Sequence, residues 1–71
     1  MLSGREIVRA LERGGFRLHR TSGSHHVMRH DGPPQRTAVV PIHGTKPIPR
    51  GTLGSILRQA GLTRDAFKAL L

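Results

Sequence analysis

Few residues in this chain could do chemistry, and most of them are histidines. Five His stand against four carboxylates (Glu6, Glu12, Asp31 and Asp65), and there is no Cys. The tightest grouping is Gly23-Ser24-His25-His26, with His30 four residues on. An imidazole can take and return a proton around neutrality, ligate a metal, or simply sit in solvent. A zinc site needs three or four ligands at defined spacing. His25, His26 and His30 alternate across an extended segment, and the carboxylates are too few to complete a hard-cation site. No metal site and no cofactor are therefore expected. Paired-carboxylate chemistry is equally poorly supplied: Glu6 and Glu12 share the first helix, Asp31 sits in a turn, and Asp65 opens the last helix. Thiolate chemistry is excluded outright, and the lack of cysteine fits a reducing cytosol.

The elements that must position these histidines can be read from local signals. Ser3 followed by Glu6 has the spacing of a capping box, with Leu2 and Ile7 at the staple positions. Ile7, Val8 and Leu11 then give a narrow apolar stripe, and Gly14-Gly15 a stop. Phe16-Arg17-Leu18-His19-Arg20-Thr21 alternates with period two, placing Phe16 and Leu18 on one face and Arg17 and His19 on the other. Thr21 to Ser24 reads as a hairpin loop, and His25 to His30 as the return strand. Its faces are ambiguous: Val27 goes with His25 and Arg29, Met28 with His26 and His30, and a one-residue slip exchanges them. Residues 31–36 read as a turn and 36–42 as an apolar third strand, with Pro41 marking an edge or an end. After the loop of residues 43–49, Leu53, Ile56, Leu57 and Ala60 form the apolar face of a second helix from about Pro49 to Ala60. Gly54 within it costs roughly 1 kcal/mol against alanine. Gly61 ends that helix, and Thr63 caps a short last one carrying Phe67, Leu70 and Leu71.

The order α-β-β-β-α, plus a terminal helix, implies an α+β protein: a three-stranded antiparallel sheet with helices on one face and the other face open. At 71 residues the chain is expected to be a single domain, residues 1–71, near the lower size limit for an unaided core. The N-terminal residues lack the apolar run of a secretory signal, and no segment approaches the roughly 20 apolar residues that span a bilayer. The expectation is a cytoplasmic protein without membrane contact.

Charge is the strongest global signal. Twelve Lys and Arg give a net charge of +8 with His neutral. The cations are spread from Arg5 to Lys68 and form no tail, so the folded surface itself should attract a polyanion, nucleic acid or an acidic protein. Tyr and Trp are absent and the two Phe occupy core positions, so no aromatic platform for stacking bases exists. Contacts to RNA would therefore be directed mainly at phosphates.

Three segments in this order and spacing, Gly-Ser-His-His-Val-Met-Arg-His (23–30), Val-Val-Pro-Ile-His-Gly (39–44) and Gly-Thr-Leu-Gly-Ser-Ile-Leu-Arg-Gln-Ala-Gly-Leu-Thr-Arg-Asp-Ala-Phe (51–67), resemble the HicA family of toxins, and the resemblance runs from the capped first helix to Phe67. Met28, where an aromatic is usual, Asp31, where proline is common, and Lys46-Pro47 depart from the family pattern. The resemblance implies a double-stranded-RNA-binding-domain-like fold and the toxin of a type II toxin–antitoxin system. It also implies endoribonuclease cleavage of mRNA, with neutralisation by a HicB-type antitoxin. The family's catalytic histidine follows Gly-Ser, which is His25 here. Arg20, Ser24, His26, Lys46 and Arg50 are the residues expected to hold RNA, with Arg17, Arg29 and Arg36 as further cations along the strands. His43 reads as a solvated loop residue beside the second helix. A binding-only RNA module of the same fold is the alternative. A DNA-binding regulator is a weaker one, since the last helix carries only Arg64 and Lys68.

Overall fold

The first helix begins where the capping signal places it. In the computed structural model, which describes residues 1–71, α1 spans Gly4–Arg13 with Ser3 as N-cap. Ser3 Oγ accepts the Glu6 N–H at 3.3 Å, and Glu6 Oε1 accepts the Ser3 N–H at 3.0 Å. The same carboxyl oxygen also accepts the Ser3 hydroxyl at 3.1 Å, and the bonds it receives, from the backbone N–H of Ser3 foremost and from its hydroxyl next, hold the Glu6 carboxyl below the usual carboxylate range. Ile7, Ala10 and Leu11 turn inward, and Gly15, at φ +93°, supplies the left-handed residue that releases the chain into Phe16.

Three antiparallel strands follow: β1 (Arg17–Ser22), β2 (His25–His30) and β3 (Arg36–Pro41), in spatial order β1-β2-β3. The β1–β2 loop is shorter than the expected Thr21–Ser24, because Thr21 and Ser22 pair with His26 and His25. Only Gly23 and Ser24 remain between the strands. Gly23 at φ +57°, followed by a residue without positive φ, has the sign pattern of a type II′ turn, which reverses the chain in two residues. Pro41 is the last residue of β3, an edge strand, where its missing N–H breaks no ladder. Helix α2 spans Arg50–Ala60, with Pro49 at the N-cap position and Gly61 as the left-handed C-cap. Helix α3, Arg64–Lys68, is capped by Thr63, whose Oγ1 accepts the Ala66 N–H at 3.0 Å.

The helices share one face of the sheet. The core joins Ile7, Ala10 and Leu11 of α1, Ile56, Leu57 and Ala60 of α2, and Phe67 of α3 to Phe16, Met28, Ala38 and Val40 of the sheet side. Met28 is fully buried, so truncating it to alanine should cost about 2–5 kcal/mol. Two polar contacts tie α2 to β3. Gln59 Oε1 accepts the Val39 N–H at 3.0 Å, occupying part of the strand's outer edge, and Arg36 Nη1 donates to the Ala60 carbonyl at 3.1 Å. At the opposite edge, every residue of β1 is exposed.

Candidate functional site

Burial of Met28 resolves the ambiguity of β2. With Met28, Ala38 and Val40 against the helices, His26 and His30 lie on the covered face and His25, Val27 and Arg29 on the open one. His25 opens the central strand. Its backbone pairs with Ser22 on one side and Pro41 on the other, and the Ile42 N–H donates to the Ser24 carbonyl beside it. Strands on both flanks thus fix the backbone, while the imidazole itself is exposed. It pairs with no carboxylate, since the one ion pair in the protein is Arg17–Asp31 at 3.0 Å.

Arg20 reaches the same face through an irregularity in β1. Strict alternation from Phe16 and Leu18 would send Arg20 toward the core. Instead Leu18 pairs with Met28 and Arg20 with Val27, leaving His19 as an extra residue in a β-bulge. Leu18, ahead of the bulge, keeps the covered side opposite Met28, and the bulge re-aims Arg20 to the open side, the known effect of one inserted residue. Arg20 is then a diagonal cross-strand neighbour of His25, at about 7–8 Å between backbones. Arg29 lies four residues along β2, about 13 Å from His25 at roughly 3.3 Å per residue. Val27 is buried between its cross-strand neighbours Arg20 and Val39, so the centre of the open face is apolar and its margin basic.

The remaining residues singled out from the sequence are dispersed. Ser24 is exposed in the hairpin turn next to His25. His26 lines a shallow depression with Arg5, Arg9 and Glu12 of α1, and its Nδ1 is buried without a hydrogen-bond partner. Lys46 lies exposed in the loop before α2, its N–H bonded to the His43 carbonyl. Arg50 lies instead with Arg64 and Lys68, on the helical layer. Two other cations are engaged within the fold: Arg17 by Asp31, and Arg36 by the Ala60 and Pro34 carbonyls and the Phe16 ring, 5.5 Å from its guanidinium. His30 is structural too, its Nδ1 accepting the Gly32 N–H at 2.9 Å and its ring set edge-on to Phe16. The nearness of Arg5 and Arg9 to His26 was not legible beforehand, because helical periodicity shows only that they lie off the apolar stripe.

Fold and site together define a small basic α+β protein with an exposed histidine at the hairpin end of an open sheet face. The chain belongs to the family described as HicA toxin of bacterial toxin–antitoxin, which it matches over residues 4–62. It is thus related to the toxins of such pairs, and a cognate antitoxin is the partner the family implies. No curated protein matches the chain. No helix is long and apolar enough to cross a membrane.

Proposed function

We propose that the protein is an mRNA-cleaving toxin, a metal-independent endoribonuclease with His25 as its catalytic residue, held in check by a HicB-type antitoxin. The observation that carries this reading is the setting of His25: exposed at the rigid start of the central strand, on the open face, with Arg20 and Arg29 outside any ion pair.

A base so placed can act on RNA without a cofactor. The imidazole of His25 takes the proton of a ribose 2′-hydroxyl, and the 2′-oxygen attacks the adjacent phosphorus. The bond to the 5′-oxygen breaks, that oxygen takes up a proton, and the products are a 2′,3′-cyclic phosphate and a free 5′-hydroxyl. Arg20 and Arg29 hold the flanking phosphates and offset the charge that builds on the phosphoryl oxygens. His26, on the covered side of the sheet, Arg50, on the helical layer, and Lys46, in the loop before α2, act on other parts of the RNA, while Ser24 stands beside the base.

One observation favours the binding-only alternative: no carboxylate orients His25, whereas catalytic bases are commonly oriented by a third group. Replacing His25 with alanine separates the two readings. Its side chain is exposed, so the fold should survive with little loss of stability. Cleavage of a long RNA should fall by about 10²–10⁴-fold, with a smaller loss for His26→Ala and no effect of EDTA on the wild type. Undiminished cleavage by a folded His25→Ala protein would remove the catalytic assignment.

A further inference from the structure

Arg50 at the start of α2 and Arg64 and Lys68 of α3 line one depression, beside a groove that Arg50 and Arg64 border together with Leu2, Ile48 and Leu53. All three are exposed, and none forms an ion pair. Asp65, the one carboxylate on α3, does not neutralise them. Arg13, Arg17, Arg36 and Arg58 are by contrast each tied to a carbonyl, carboxylate or hydroxyl of the protein, whereas Arg5, Arg9, Arg20, Arg29 and Lys46 are, like these three, outside any ion pair. Three converging cations without a counter-charge repel one another, and an anion seated between them relieves that repulsion. Gly54 helps to shape the place: a Cβ there would lie 3.8 Å from Arg64 Nη2, so the guanidinium is drawn in against α2. Two of the three residues, Arg64 and Lys68, lie beyond the segment that matches the family, residues 4–62.

We infer that Arg50, Arg64 and Lys68 form a second phosphate-binding patch, separate from the His25 face, that holds a flanking stretch of the same RNA. The inference rests on the reading of RNA as substrate. The patch belongs to the helical layer, whereas His25 lies on the sheet face turned away from it. The molecule measures 32 × 27 × 18 Å, so a strand touching both sides must cross at least its shortest dimension. At about 3.4 Å per stacked nucleotide that takes more than about five nucleotides. Long RNAs therefore engage both surfaces at once and very short ones only one at a time.

The test compares His25→Ala protein, which binds without cutting, with the same protein carrying Arg64→Gln and Lys68→Gln. Binding of a labelled 20-nucleotide single strand and of a tetranucleotide is measured over a range of salt. Each phosphate contact on a single strand contributes about −0.7 to the slope of log K against log salt. The double substitution should reduce the slope for the 20-nucleotide strand by about 1.4 and weaken its binding more than that of the tetranucleotide. An unchanged slope, with the parent protein binding RNA normally, would overturn the patch and leave the His25 reading standing. Failure of the parent to bind any RNA would instead overturn the substrate reading itself. Weakened antitoxin binding with RNA binding intact would reassign the patch to the protein partner and refute the inference.

Discussion

Gly4→Ala and Gly54→Ala are the same chemical change in two helices, and they should act with opposite sign. By helix propensity alone, alanine is favoured over glycine by roughly 1 kcal/mol in a helix interior. At Gly54 that gain is available. The new Cβ would sit 3.5 Å from Arg58 Nη1 and 3.8 Å from Arg64 Nη2, ordinary contacts with the ends of flexible side chains. A stabilisation of about 0.4–1 kcal/mol follows, or a rise in Tm of roughly 2–8 °C for a domain of this size. At Gly4 the Cβ would collide with the Pro41 carbonyl oxygen and come within 2.9 Å of Ile42 Cδ1. The Ile42 side chain can yield, but the Pro41 carbonyl belongs to the end of β3, which is paired with His25 and followed by the Ile42–Ser24 backbone bond. Either α1 or the strand end must move, and overpacking of this kind costs about 1–3 kcal/mol. Marginal stabilities of about 0.05–0.15 kcal/mol per residue make that a large share of the total. Thermal melts followed by circular dichroism should show Gly4→Ala melting below the wild type and Gly54→Ala above it. Cleavage by folded Gly4→Ala should also fall, because the displaced segment is the cross-strand partner of His25. Equal rises in Tm for both variants would show that the approach of α1 to β3 is not rigid, and would refute the reasoning.

Two further outcomes can be checked directly. The Glu6 carboxyl is lowered by its bonds to Ser3, so its contribution to stability is present above the unfolded value and lost as pH falls through the lower folded value. Denaturant midpoints of Glu6→Ala should thus fall below wild type near neutrality and converge with it in acid, below roughly pH 4; a constant gap down to pH 2 would contradict this. The antitoxin, drawn to a +8 surface, should cover the open face and protect His25 from modification by diethyl pyrocarbonate. It should also raise Tm by linkage. Full reactivity of His25 in a stable complex would replace direct occlusion with a distant mode of inhibition.

The element ends were legible in the sequence because they depend on contacts only three or four residues apart. Ser3 and Glu6 define the start of α1, Thr63 that of α3, and Gly61 the end of α2, each through backbone groups that a nearby residue satisfies. The apolar stripe of α2 and the order of the three strands were equally plain, whereas His25 stood out only through the resemblance to the HicA family. The face that His25 occupies was not legible. Val27 and Met28 offer β2 two equivalent alternations, and only the burial provided by helices far away in sequence selects Met28 for the core. Arg20 depends on tertiary structure still more, since the rule of alternation sends it inward and the bulge at His19 turns it out beside His25. The roles of the arginines were likewise undetermined: Arg36 binds the end of α2, Arg17 binds Asp31, and Arg50 meets Arg64 and Lys68. Charge is a property of composition, but whether a given cation is spent within the fold or left free depends on which distant groups the packing brings within hydrogen-bonding reach.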